Sequence, residues 1–234
     1  MRISWGYVVG AVVLAGAAVT VYEATSTRTP SRVPQTPPAQ SASTSAVTAP
    51  RPDVRFGKVE LTADDHVLGK PDAPVTVIEY ASLTCPHCAA LNNEVMLQFK
   101  KDYVDTGKAR FVYRDFPLDQ LAMTASLLAR CAGPDRYFGF IDVLFSGQAN
   151  WARATDPMRA LEQVGRLGGV PPEKFEACRK DEELTNKVLQ QRMDGEKTFQ
   201  INSTPTLIVN GDRFPGGMSY EQFKAVLDAH LSKG

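Results

Sequence analysis

No excess of either charge marks this chain: 26 Lys and Arg meet 26 Asp and Glu, for a formal net charge of +0. Without basic clustering the electrostatic footprint of a nucleic-acid binder is missing, and no nucleic-acid partner is expected. A phosphate-binding glycine loop is missing too; Gly168-Gly169 reads as a helix end, and Gly216-Gly217, after Pro215, as turn punctuation. Cysteine and histidine are scarce, at four and three. One Cys-x-x-Cys exists, Cys85 to Cys88, and no second pair accompanies it. His66 and His230 are isolated, and Cys131 and Cys178 stand far apart. Half a zinc site without its other half is a poor ligand set, so no metal is expected. What remains is an ordinary globular composition, 43% hydrophobic, with one dithiol to explain.

The dithiol falls at a strand-to-helix turn. Val75-Thr76-Val77-Ile78-Glu79-Tyr80 is a β-branched and aromatic run, Ala81 to Thr84 turns the chain, and Ala89 to Tyr103 has the spacing of an amphipathic helix. Pro86 lacks an N–H, and its fixed φ suits the first helical position, which puts Cys85 at or beside the N-cap. Free backbone N–H groups and the positive end of the helix then favour a Cys85 thiolate, and His87 adds to this if it is charged or donates a hydrogen bond. Cys85 is therefore the expected attacking thiol. Cys88, one turn further in, is placed to resolve a mixed disulfide. Stabilising the thiolate favours the reduced form and makes the disulfide an oxidant of other thiols; the chemistry is carried by sulfur and calls for no cofactor.

Two further positions draw attention. Glu79 sits in a strand that reads as buried, where a carboxylate is costly unless partnered, so it is either a proton relay or an outward-facing edge residue. Thr204-Pro205 precedes the strand Thr206 to Val209, where such a dipeptide is ordinarily a trans turn.

From Ile3 to Tyr22 no side chain is charged, a length of roughly 20 residues that matches a bilayer span and exceeds a signal-peptide core of about 7–15. Trp5, Tyr7 and Tyr22 stand where interfacial aromatics belong. Residues 1–24 therefore read as an uncleaved signal-anchor, with a signal peptide cut near Ala15-Gly16-Ala17 as the alternative. Residues 25–54 follow as a disordered linker: Thr25 to Pro52 hold six prolines among Ser, Thr and Ala. An oxidising dithiol suits a periplasm and not a reducing cytosol, so a periplasmic location tethered to the inner membrane is expected.

Strands are expected at Arg110 to Tyr113 and Thr206 to Val209, the last continuing through Asn210-Gly211-Asp212 as a hairpin into Arg213-Phe214. Residues 117–199 have helical patterning: Leu121, Ala125, Leu128 and Ala132 form one stripe, Phe138, Ile141 and Phe145 another, and Asp156-Pro157 opens a third. Tyr220 to Leu231 makes a closing helix. Cys131 and Cys178 fall inside this segment, either as a structural disulfide or as two buried free thiols.

At Cys85-Pro86-His87-Cys88 the chain resembles the DsbA family of thiol-disulfide oxidoreductases. The resemblance extends through Gly69 to Val75, Arg114-Asp115-Phe116-Pro117-Leu118 and Ser203-Thr204-Pro205-Thr206, and covers nearly all of residues 55 to 234. It implies an α/β, thioredoxin-like fold with an inserted α-helical domain: residues 55–116 and 200–234 as the thioredoxin-like part, with Lys58 to Leu61 as its first strand, and 117–199 as the insertion. It also implies that Glu79 is the buried acid beneath the active-site disulfide, and that Thr204-Pro205 is a cis-proline loop pairing with bound polypeptide. Some relatives carry a disulfide where Cys131 and Cys178 lie. Thr204 departs from many oxidising members, which have an aliphatic residue there, and is similar to isomerising and reducing relatives.

The expected function is introduction of disulfides into unfolded exported polypeptides with free thiols, with reoxidation by a quinone-linked membrane protein resembling DsbB. The alternatives are an isomerase or reductase on the same fold, pointed to by Thr204, and a non-redox module that docks polypeptides at Pro205.

Overall fold

A computed structural model describes residues 47–233. The expected anchor at residues 3–22 and the linker as far as residue 46 lie outside the described residues. Within them no helix is long and apolar enough to cross a membrane.

A six-stranded sheet in the order β1-β6-β5-β3-β4-β2 forms the centre. Its core strands are β3 (Val75–Ala81) and β4 (Ala109–Asp115), which run parallel, and β5 (Thr206–Val209) and β6 (Asp212–Pro215), which continue antiparallel from β3. Asn210 (φ 47°) and Gly211 (φ 93°) both occupy the left-handed region, as a two-residue hairpin turn of right-handed strands requires. The expected first strand at 58–61 is not formed. Val59 and Leu61 instead pack as extended chain on the cluster around Ile78, Val112 and Ile208. The outer pairings are made by two-residue strands, β1 (Val54–Arg55) on β6 and β2 (Val67–Leu68) on β4. Asp53, within the segment expected as linker, is tied to β6 by its N–H and by an ion pair with Arg213 at 2.8 Å.

β3 is buried on both faces, and its period of two sorts its side chains. Ile78 and Tyr80 face the cluster that contains Phe199 and Ile201. Val75, Val77 and Ala81 face the larger core built with Leu91, Val95 and Phe99. Glu79 lies in register with that second set, and so looks toward the helix that follows the dithiol.

That helix, α1, spans residues 86–104, beginning as α-helix over Pro86–Leu91 and widening into π turns at Asn92–Met96 and Lys100–Val104. The insertion holds α2 (Gln120–Cys131), α3 (Pro134–Ser146), α4 (Gln148–Trp151), α5 (Pro157–Leu167), α6 (Pro172–Arg179) and α7 (Glu182–Phe199); α8 (Tyr220–Leu231) closes the fold. Asp119, Asp156 and Asp181 each cap a helix by accepting from a backbone N–H three residues on, and Pro134, Pro157 and Pro172 occupy first-turn positions that need no donor. Cys131 of α2 and Cys178 of α6 are joined by a disulfide. The whole is the thioredoxin-like α/β arrangement with a helical insertion.

Buried polar groups stitch the insertion to β4. Arg130 pairs with Asp115 at 2.7 Å, both nearly inaccessible, and the Gln191 side-chain oxygen accepts from Asp115 N and Arg130 Nη2. The Gln191 amide reaches Asp65, which pairs with Arg114, and Arg114 donates to the Tyr80 hydroxyl. His66 stacks on Tyr137, with centroids 3.9 Å apart. Desolvation first and Arg130 second lower its pKa.

Candidate active site

Cys85 is the N-cap of α1, in extended backbone (φ −77°, ψ 119°), and Pro86 takes the first helical position. Both Cys85 and Cys88 are free thiols, but their surroundings differ. Cys85 is 7% exposed at the surface, whereas Cys88 is fully covered. The Cys85 thiol is lowered to about 5: the hydrogen bond from Cys88 contributes most, and Thr204 and the backbone N–H groups of Cys88 and His87 add to it against the cost of desolvation. Cys88 is pushed strongly upward by burial, by its role as donor to Cys85 and by the nearby Glu79 charge. One sulfur is held as an anion, and the other is kept as a thiol.

The His87 side chain does not share this task. It is exposed, on the wall of a groove with Ala90, Glu94 and Met218, and its contribution to Cys85 comes through its backbone N–H. The first helical turn brings the His87 amide to the sulfur, while its imidazole is exposed to solvent.

Thr204-Pro205 is cis, and brings the Thr204 carbonyl within 3.5 Å of Cys85 Sγ, where the thiol donates to it. Thr204 Oγ1 is buried with no partner among the described residues, which leaves its proton for the sulfur once that sulfur is ionised.

Glu79 is fully buried, so the edge-residue alternative is excluded by its place in a central strand between β4 and β5. Burial raises its pKa to about 8, opposed by Lys100 and by Asn92, whose Nδ2 donates to both carboxyl oxygens at 3.2 and 3.1 Å. Lys100 in turn pairs with Asp142 of α3. A buried acid that holds its proton near neutrality and is coupled electrostatically to Cys88 can supply that proton to a leaving thiolate.

The structure thus gathers Glu79, Cys85, Pro86, His87, Cys88, Thr204 and Pro205 at one end of the sheet, and leaves Cys131–Cys178 in the insertion. Sequence reasoning missed several partners. Asn92 was within reach of it, as a polar residue one turn after Cys88 on an otherwise apolar face. Gln148, whose Nε2 donates to Leu83 O at 2.8 Å and Cys85 O at 3.0 Å, lies 65 and 63 residues downstream of them and gave no signal. Nor did Ser82 and Thr84, which tie the turn to Leu118 N and Asp119. Among the described residues no group of three or more His, Cys, Asp or Glu is arranged to hold a metal ion.

Comparison with known proteins places this geometry. The thioredoxin family profile matches residues 61–229. A protein of Rickettsia bellii named as a protein-disulfide oxidoreductase is 34% identical over 164 residues, which cover 69% of this chain and 63% of that one. Disulfide bond formation protein D of Bacillus subtilis is 26% identical over 70% of this chain and 76% of its own. The crystal structure of alpha-DsbA1 from Wolbachia pipientis superposes with a TM-score of 0.70 at 28% identity, covering 75% of this chain and 94% of that one. The match spans less than two thirds of the rickettsial relative's length.

Proposed function

The chain belongs to the DsbA branch of the thioredoxin family, and from that premise we propose that it is an extracytoplasmic dithiol oxidase that passes its Cys85–Cys88 disulfide to exported polypeptides. The observation that carries this reading is the opposed setting of the two sulfurs: Cys85, which keeps a small exposed edge and whose thiol is lowered to about 5, and a fully covered Cys88 whose thiol is pushed upward.

The reaction follows from that asymmetry. A client thiolate attacks Cys85 Sγ, the less covered sulfur; the Cys85–Cys88 bond breaks, and Cys88 leaves and takes a proton, for which the buried Glu79 carboxyl, electrostatically coupled to Cys88, is the donor. A second client thiolate then attacks the client sulfur of the mixed disulfide. Cys85 departs as its stabilised thiolate, the client gains a disulfide, and the enzyme holds two electrons. A low-pKa leaving group speeds that step and makes the oxidation favourable. The two electrons then pass to a membrane reoxidant of the quinone-linked, DsbB-like kind. Thr204 and cis-Pro205 lie beside Cys85, where an extended client backbone would pair. Residues 3–22, as a membrane anchor, and the proline-rich linker would hold this domain at the periplasmic face of the inner membrane, where clients emerge.

The test is the equilibrium with glutathione together with two activity assays. An oxidase equilibrates as a strong oxidant, oxidises a reduced unfolded client stoichiometrically and reduces insulin poorly. An isomerase, the second reading favoured by Thr204, would instead recover a scrambled client faster than it oxidises a reduced one. A strongly reducing equilibrium overturns the oxidase assignment.

A further inference from the structure

One buried side chain of the helical insertion bonds the backbone of the turn that carries the dithiol. Gln148 opens α4 and is 8% exposed. Its Nε2 carries two donor hydrogens, and both are used: one on the carbonyl of Leu83, in the turn before the dithiol, and one on the carbonyl of Cys85 itself. The Cys85 carbonyl also accepts the first helical bond of α1, from Ala89 N at 3.2 Å, so the amide and the helix together orient the N-cap peptide. The same turn is held on its other side by Thr84, which donates to Asp119 at 2.6 Å, and by Ser82, which accepts from Leu118 N at 3.3 Å.

We propose that Gln148 is a positioning residue for disulfide exchange: by fixing the Leu83 and Cys85 carbonyls it holds the Cys85 sulfur where the N–H groups of the first helical turn converge on it. This inference rests on the dithiol reading above and adds to it a role for the insertion. The backbone of Cys85, an N-cap residue with extended geometry and no side-chain cap bond to anchor it, sets the direction of the Cα–Cβ bond that carries the sulfur. If the turn drifts, the hydrogen bonds to the thiolate lengthen, and their stabilisation falls steeply with misalignment. Gln148 acts only on the carbonyls and does not face the reacting atoms.

Two variants test this in the full-length protein. Gln148→Met keeps the side-chain length and removes both donors; Gln148→Asn keeps the donors and shortens the reach. Ultraviolet titration of the Cys85 thiolate and the equilibrium with glutathione are read for each, with circular dichroism to verify folding. Losing the equivalent of one hydrogen bond to a charged group predicts that Gln148→Met raises the Cys85 midpoint by about one pH unit and moves the equilibrium about tenfold toward the disulfide enzyme. Gln148→Asn falls between, and it carries the test if the Met variant does not fold. Midpoints and equilibria that coincide with wild type in both variants overturn the positioning role. If wild-type Cys85 itself titrates as an ordinary thiol, it is the dithiol-oxidase reading that fails.

Discussion

Replacing Glu79 with Gln should abolish a pH dependence of stability that the buried carboxyl imposes. In the folded protein burial raises this group from 4.5 to about 8. An acid raised on folding binds its proton more tightly in the native state, so stability is greatest below the unfolded value and declines as pH climbs from about 4.5 to 8. Over that window the loss amounts to roughly 5 kcal/mol, at about 1.4 kcal/mol per pH unit. Cys85 pulls the other way in the reduced protein. Its depressed thiol contributes stability that is fully present above the ordinary value of 9.0 and is lost as pH falls through about 5. The two slopes oppose each other between pH 5 and 8, so the measurement belongs on the disulfide form, where Cys85 no longer titrates. Guanidinium unfolding of the oxidised protein across this range should show wild-type stability falling with pH and Glu79→Gln nearly flat. The amide preserves the bond from Asn92 and offers a donor to Asn92 Oδ1, which is buried without a partner. Parallel slopes in the two proteins would refute the reasoning, since they would mean that Glu79 is solvated in the folded state.

Three other expectations follow from the same geometry. Thr204→Val removes a buried hydroxyl beside Cys85 and should raise the Cys85 titration midpoint by about one unit, with a matching shift of the glutathione equilibrium toward the disulfide enzyme; an unchanged midpoint would show that the hydroxyl does not bond the thiolate. Cys131→Ser with Cys178→Ser opens a link across 47 residues and should cost about 4 kcal/mol in chemical unfolding, while alkylation of the mildly reduced parent should label two cysteines and not four. Arg130→Met leaves Asp115 buried without its cation, and should destabilise by about 3–5 kcal/mol in chemical unfolding at neutral pH; a loss under about 1 kcal/mol would show that the pair is not buried.

What the sequence made legible was local. Pro86 after a β-branched run places the helix start, and the helix start places the acidic sulfur, because both depend only on neighbours within a turn. The Asn210-Gly211 hairpin and the Asp-Pro helix start at 156–157 were legible for the same reason. Residues 58–61 misled because the resemblance alone places the first strand there. Val59 and Leu61 instead pack on Ile78 and Ile208, and the sheet edge is closed by Val54 and Arg55. Glu79 could be recognised as costly, but its strand's central position decided between the two readings. Gln148, Gln191 and the Arg130–Asp115 pair were silent: each joins groups far apart in the chain, and a polar side chain carries no mark in sequence of the carbonyl or carboxylate it will meet.

Titrating the Cys85 thiolate by ultraviolet absorbance, with Cys88→Ser as a control for the second sulfur, tests the account most directly. A midpoint near pH 5 in the wild-type dithiol, with no ionisation of Cys88 below pH 9, is the expected result. A midpoint near 9 would contradict it, because the helix start would then do nothing for the sulfur it caps.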